Sequence, residues 1–277
     1  TILIPNPRDL PNFVKELNKW KFTGFIGLNT LFAGLCNRED FAKVDFSSLK
    51  LTASGGMPLT HAAADRWKSV TGCTVSEGYG LTETSPVVAF NPIGKEQVGT
   101  IGLAVDCTDI RIIDDNGNDV VPGEPGMLCV KGPQVMKGYW HREKATQDVM
   151  TTDGFLITGD VATQQADGYL SIVDRAKDLI IVSGFNVYPT EVEDVITQHP
   201  DVLEAAAIGV EDDKTGEAVK AFLVLKDGAQ MDEKAMYAFC KENLAAYKVP
   251  RQYEVRKELP KTNVGKILRR ALREPEH

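Results

Sequence analysis

The segment Glu77-Gly78-Tyr79-Gly80-Leu81-Thr82-Glu83 gathers an aromatic ring, a hydroxyl and carboxylates around a pair of glycines. Glycine lets a backbone come close to a flat ligand. Tyr79 could stack on a base, Thr82 could bond a phosphate, and Glu83 could ligate a hard cation. A structural turn accounts for the same residues, and on residue chemistry alone it is the simpler reading. Thr158-Gly159-Asp160 places a carboxylate after a strand and a glycine, where it could accept hydrogen bonds from a ribose diol; an Asp in a plain turn is the alternative. Asp174-Arg175-Ala176-Lys177-Asp178 holds four charged residues in five, which reads as an exposed linker, with a domain hinge as one version of it. In Ser183-Gly184-Phe185-Asn186-Val187-Tyr188-Pro189, Gly184 would let a narrow chain run along the backbone, unless the segment is a hairpin turn. Pro260-Lys261-Thr262-Asn263-Val264-Gly265-Lys266 puts a lysine at the tip of a glycine-containing loop. Such a lysine can swing into a site and neutralise phosphate charge, or simply be solvated.

Metal chemistry without a nucleotide finds little support. Asp114, Asn116 and Asn118 have the spacing that opens a calcium loop, but the glycine falls at 117 and the last-ligand position is Pro125, so a hairpin turn is expected. His61, His141, His199 and His277 form no metal-ligand spacing. The five cysteines, Cys36, Cys73, Cys107, Cys129 and Cys240, are scattered and form no C-x-x-C pair. That pattern fits reduced, mostly buried thiols in a cytoplasmic protein.

The elements that must position these residues fall into three stretches. Over 1–97, helical and strand-like segments alternate, which suggests part of a parallel α/β layer. Leu10–Trp20 and His61–Val70 read as helices, Leu49–Ala53 and Cys73–Ser76 as strands, and the apolar run Gly24–Leu35 as a buried helix. Over 98–173, short strands at Ile110–Ile113, Gly126–Lys131, Phe155–Thr158 and Tyr169–Val173 alternate with Asx-Gly and Pro-Gly turns, which suggests a small β-barrel-like subdomain. Residues 174–175 lie between the stretches, where a hinge is one reading, and 176–277 form a compact α+β domain. In that domain Leu179–Val182, Leu203–Val210, Val219–Leu225 and Tyr253–Arg256 read as strands, Pro189–Gln198 and Asp232–Ala245 as helices, and a basic helix ends the chain. The fold class is therefore α/β plus α+β.

With 277 residues, 43% of them hydrophobic and 25% charged, the chain can bury a core without disulfide or metal staples. Its net charge of −8 argues against a general nucleic-acid binder, although Lys266, Arg269, Arg270 and Arg273 form a local basic cluster. No stretch approaches the ~18 apolar residues of a membrane span. The opening Thr1-Ile2-Leu3-Ile4-Pro5 reads like the end of a strand, so the chain is expected to have been cut from something longer.

Each block is weak by itself, but their order is specific. The run from Glu77–Glu83 through Gly132-Pro133, Gly138-Tyr139, Thr158-Gly159-Asp160, Asp174-Arg175, Ser183–Asn186 and Pro260–Lys266 resembles the adenylate-forming superfamily. Val130–Met136, Ser183–Pro189 and Asn263–Arg270 are similar to the bacterial long-chain fatty acid CoA ligases. The resemblance implies ATP, a fatty acid and coenzyme A as substrates, with Mg²⁺ as cofactor. It implies that Gly55, Gly56, Glu77, Gly78 and Tyr79 frame the adenine. Thr82 would bond the α-phosphate, Glu83 would hold Mg²⁺, and Asp160 would take the ribose hydroxyls with Arg175 adding a contact. Asp174 would be the hinge, and Lys266 would reach the α-phosphate and the substrate carboxylate. After rotation of the C-terminal domain, Ser183, Gly184 and Phe185 would line the pantetheine channel.

The family's Ser/Thr/Gly-rich phosphate loop is missing from this sequence, so the chain is expected to be inactive alone. A non-catalytic nucleotide- or partner-binding module, and a ligase with another acid or a carrier-protein acceptor, remain the alternatives. The implied location is cytoplasmic; a long-chain substrate leaves peripheral contact with the inner face of the cell membrane open, and a homodimer is equally open.

Overall fold

Helix α1 (Leu10–Leu17) begins where the sequence places a cap and a proline: the Asp9 carboxylate accepts the Asn12 N–H at 3.2 Å, and Pro11 stands in the first turn. The computed structural model describes residues 1–4, 6–262 and 267–273. The apolar run after α1 is not the single helix expected. It divides into strand β1 (Gly24–Gly27) and helix α2 (Asn29–Cys36). The reason is period-two burial: Phe25 and Gly27 face inward while Gly24 and Ile26 face out, and β1 pairs in parallel with β2 (Leu51–Ser54).

Helix α3 (His61–Thr71) is capped by the Thr60 hydroxyl and stopped by Gly72 in the left-handed conformation. Strand β3 (Val75–Gly80) pairs in parallel with β2, and the antiparallel strands β4 (Val87–Phe90) and β5 (Leu103–Ala104) complete the order β1-β2-β3-β4-β5. The layer is locked by Trp67, which is fully buried. Its ring lies 4.7 Å from Phe32 and 4.9 Å from Phe25, and its indole N–H donates to Thr52 Oγ1 at 3.0 Å.

A second sheet has the order β6 (Asp109–Ile113), β7 (Gly126–Lys131), β8 (Leu156–Gln164), β9 (Leu170–Arg175), with the short helix α4 (Glu143–Gln147) between β7 and β8. Where a barrel-like subdomain is expected, this sheet is open, and among the described residues no closed barrel forms. Asp114 makes an Asx turn, accepting the N–H groups of Asn116 and Asn118 at 2.9 Å each.

Contacts divide the chain into two units, Thr1–Thr158 with Ala162–Ile172, and Gly159–Val161 with Val173–His277. The second unit contains β10 (Ile180–Val182), β11 (Phe185–Val187), α5 (Pro189–Thr197), β12 (Val202–Asp212), β13 (Gly216–Leu225), α6 (Glu233–Asn243), β14 (Gln252–Val255) and α7 (Arg269–Arg273). Its sheet runs β11-β10-β13-β12, with β14 parallel to β13. Alternation sorts the two faces. Ala205, Ala207, Ala221 and Leu223 pack with residues of α5 and α6, while Ala206, Ile208, Phe222 and Val224 pack with Leu259 and with Leu272 of α7. Cys36, Cys129 and Cys240 are buried free thiols, but Cys107 is exposed. No described helix is long and apolar enough to cross a membrane.

Candidate functional site

In the first unit the Glu77–Glu83 block is a strand end followed by a tight turn. Glu77 to Gly80 belong to β3, and Thr82–Thr84 form a single 3-10 turn. The glycines are sterically required there. A Cβ on Gly78 would meet the Phe90 ring at 2.6 Å, and one on Gly80 would overlap the Pro86 carbonyl. Thr84 holds the turn closed: its Oγ1 accepts the Leu81 N–H at 2.9 Å and donates to the Pro86 carbonyl at 2.6 Å. Thr82 is thereby left exposed at the tip, and Glu83 half-buried beside it.

Glu83 is gripped from outside its own segment. Its backbone carbonyl accepts the Met136 N–H at 2.7 Å, and its Oε1 accepts the Tyr139 hydroxyl at 2.8 Å. Among the described residues its Oε2 has no partner. A carboxylate with one free oxygen on an accessible turn suits Mg²⁺, which is usually held by one or two carboxylates together with substrate phosphates. No cluster of three or more His, Cys, Asp or Glu able to hold a metal occurs among the described residues, so a cation here would rely on nucleotide oxygens.

Glu77 sits differently from its neighbours. It is buried, and its Oε1 accepts the Leu59 N–H at 3.3 Å while Oε2 has no partner. Burial pushes this carboxyl up to about 7, against the lowering effect of the Leu59 N–H. Ser54, its register partner on β2, also has a buried hydroxyl without a partner, and Gly55 and Gly56 follow directly. Tyr79 packs its ring against the cluster of Val88, Ala89 and Leu128.

In the second unit Asp160 and Arg175 meet. Asp160 is buried, and its Oδ1 accepts Arg175 Nε at 3.0 Å. The 174–178 segment corrects the expectation of an exposed linker: Asp174 and Asp178 are only 4% and 9% exposed. Asp174 accepts the N–H of Arg175 at 2.8 Å and the N–H of Thr190, in the first turn of α5, at 2.9 Å. An acidic side chain on a helix N-terminus satisfies an orphan donor and complements the helix dipole. The basic cluster is corrected for the same reason. Arg269 turns inward, clasping Glu193 through Nε at 3.0 Å and NH2 at 2.6 Å, with Asp174 at 3.9 Å and Asp178 at 3.7 Å. Ser183-Gly184 is the two-residue turn of the antiparallel β10–β11 hairpin, the alternative reading of this segment, and Phe185 opens β11 and stacks on Tyr247 with ring centroids 4.9 Å apart. Lys266, with Asn263, Val264 and Gly265, lies outside the described residues. A cavity of about 720 Å³ on the β12–β13–β14 face contains none of the expected site residues.

Tyr139 and Arg269 are the functional candidates that residue chemistry did not single out. The Glu83–Tyr139 and Glu193–Arg269 pairs are 56 and 76 residues apart, so no local spacing announces them.

The AMP-binding enzyme model matches residues 1–140, and the AMP-binding enzyme C-terminal domain model matches 191–266. The chain belongs to the AMP-binding enzyme family. It is 55% identical over 274 residues to a long-chain-fatty-acid–CoA ligase of Salmonella typhimurium, covering 99% of this chain and 48% of the relative. It is 45% identical to the ligase of that name from Bacillus subtilis, covering 99% of this chain and 49% of the relative. Among solved structures, ATP-bound MatB from Rhodopseudomonas palustris superposes with a TM-score of 0.91 at 34% identity, over 98% of this chain and 54% of the other. The chain thus spans about half the length of the curated relatives it matches.

Proposed function

We propose that this chain serves ATP-dependent activation of a long-chain fatty acid, forming acyl-AMP and pyrophosphate, and transfer of the acyl group to coenzyme A. Relatives at 55% identity carry that name, and the observation that supports it within this chain is the Glu83 turn. There an accessible hydroxyl and a carboxylate with one free oxygen follow a glycine-bearing strand end.

The chemistry explains why such residues are needed. A carboxylate oxygen must attack an already anionic α-phosphorus, displacing pyrophosphate. Mg²⁺, held by Glu83, would supply positive charge to the phosphates. Thr82 would bond the α-phosphate from the exposed turn. Gly55, Gly56, Glu77, Gly78 and Tyr79 would frame the adenine, and Asp160, oriented by Arg175, would accept the ribose hydroxyls. Lys266 would neutralise charge on the α-phosphate and the entering carboxylate; loss of one such preorganised contact typically costs about 3–4 kcal/mol of barrier. In the second step the thiol of coenzyme A attacks the acyl carbonyl and AMP leaves. Lys266 must then withdraw, with residues 174–175 as the hinge and Ser183, Gly184 and Phe185 turned to the pantetheine.

The relatives' names favour a long-chain acid. A full-length protein carrying this chain as its C-terminal half, given ATP, free CoA and a panel of acids, should release AMP and acyl-CoA most rapidly with long chains. Activity on short or aromatic acids alone would overturn the chain-length assignment. Acyl transfer to a carrier-protein thiol but not to free CoA would overturn the acceptor.

A further inference from the structure

We propose that Tyr139 is a positioning residue for Glu83, fixing one carboxylate oxygen so that the other is presented to a nucleotide-bound divalent cation. The proposal rests on the reading of Glu83 as the cation's protein ligand. Glu83 is half-buried in a turn of three residues whose Thr82 is exposed and whose Thr84 is buried, and its side chain has several torsions to fix. Two contacts hold it, one on the backbone and one on the carboxylate, and both come from one segment. The Met136 N–H holds the Glu83 carbonyl at 2.7 Å, and the Tyr139 hydroxyl holds Oε1 at 2.8 Å.

That segment is itself pinned. The Tyr139 N–H donates to Thr146 Oγ1 at 2.9 Å, Thr146 Oγ1 donates to the Arg142 carbonyl at 3.0 Å, and the Arg142 N–H donates to the Tyr139 carbonyl at 3.1 Å. The backbone that carries the phenol is therefore held in a closed loop. The arrangement resembles the outer-shell partners that orient metal-ligating carboxylates, whose loss typically costs about 10–100-fold in metal affinity.

The test uses a full-length protein carrying this chain, Mn²⁺ as the cation and a non-hydrolysable ATP analogue, with free Mn²⁺ read by electron paramagnetic resonance. Tyr139→Phe should weaken Mn²⁺ binding to the protein–nucleotide complex about tenfold. Nucleotide affinity without metal and the melting temperature should stay at the parent values, which a general structural defect would not allow. Glu83→Gln runs beside it. If Glu83→Gln weakens Mn²⁺ binding and Tyr139→Phe does not, the positioning role falls while the Glu83 ligand stands. If Glu83→Gln leaves Mn²⁺ binding unchanged, the ligand reading falls and this proposal with it.

Discussion

Replacing Arg269 by methionine keeps most of the length and bulk of the side chain and removes its charge. The arginine side chain is 17% exposed and that of Glu193, its main partner, 12%. The pair is doubly bonded at 3.0 and 2.6 Å, with Asp174 and Asp178 also within 3.9 Å of the guanidinium. Removing one partner of such a buried pair typically costs about 3–5 kcal/mol, because the other charge is left uncompensated. Glu193 has an escape, since it can take up a proton. Burial already pushes its carboxyl up even with Arg269 opposing, and without Arg269 it should climb further. The sign follows from linkage. A carboxyl raised in the folded state binds more protons there than when unfolded, so stability falls as pH rises from the unfolded value toward the folded one. The gap between Arg269→Met and the parent should therefore be small near about pH 5 and widen to about 3 kcal/mol near about pH 8. Urea unfolding of both proteins across that range measures it. Arg269→Lys, which keeps charge but not the fork, should fall between. A gap that stays constant with pH, or one below about 1 kcal/mol at the alkaline end, would show that Glu193 is not left as an unpaired charge.

Glu77 gives a second pH signature. With its carboxyl pushed up to about 7 by burial, ionisation on going from about pH 5 to about pH 8 should cost the fold up to roughly 3 kcal/mol, and Glu77→Gln should flatten that decline. Parallel melting-temperature profiles for the two proteins would dismiss it. Gly80→Ala drives a methyl into the Pro86 carbonyl and should cost about 3 kcal/mol or more in a urea melt, since the obstacle is backbone; a neutral substitution would mean that the turn relaxes freely. Lys266→Ala in a full-length protein should abolish pyrophosphate exchange while sparing CoA transfer from supplied acyl-adenylate. Equal loss of both rates would remove its assigned role.

What the sequence made legible was local, and what it hid was pairing at a distance. The Asp232 cap and the apolar runs of β7, β12 and β13 are written in neighbouring residues, and the elements form there. The run from Gly24 to Leu35 misled because a short apolar stretch does not declare its period by sequence alone; register with β2 decided it. The 174–178 segment misled more instructively. Counting charges gave a solvated linker, but a charge is solvated only if nothing better satisfies it. Asp174 finds the N-terminus of α5, and Asp178 finds Arg269 and Arg273 from the far end of the chain. The same holds at the candidate site, where the Glu83 block stands out by residue type but its hydrogen bond from Tyr139, 56 residues away, is announced by nothing local. Ligand types follow from short motifs because chemistry selects residue types. The residues that aim those ligands follow from tertiary placement, so they emerge only when both partners are seen in one fold.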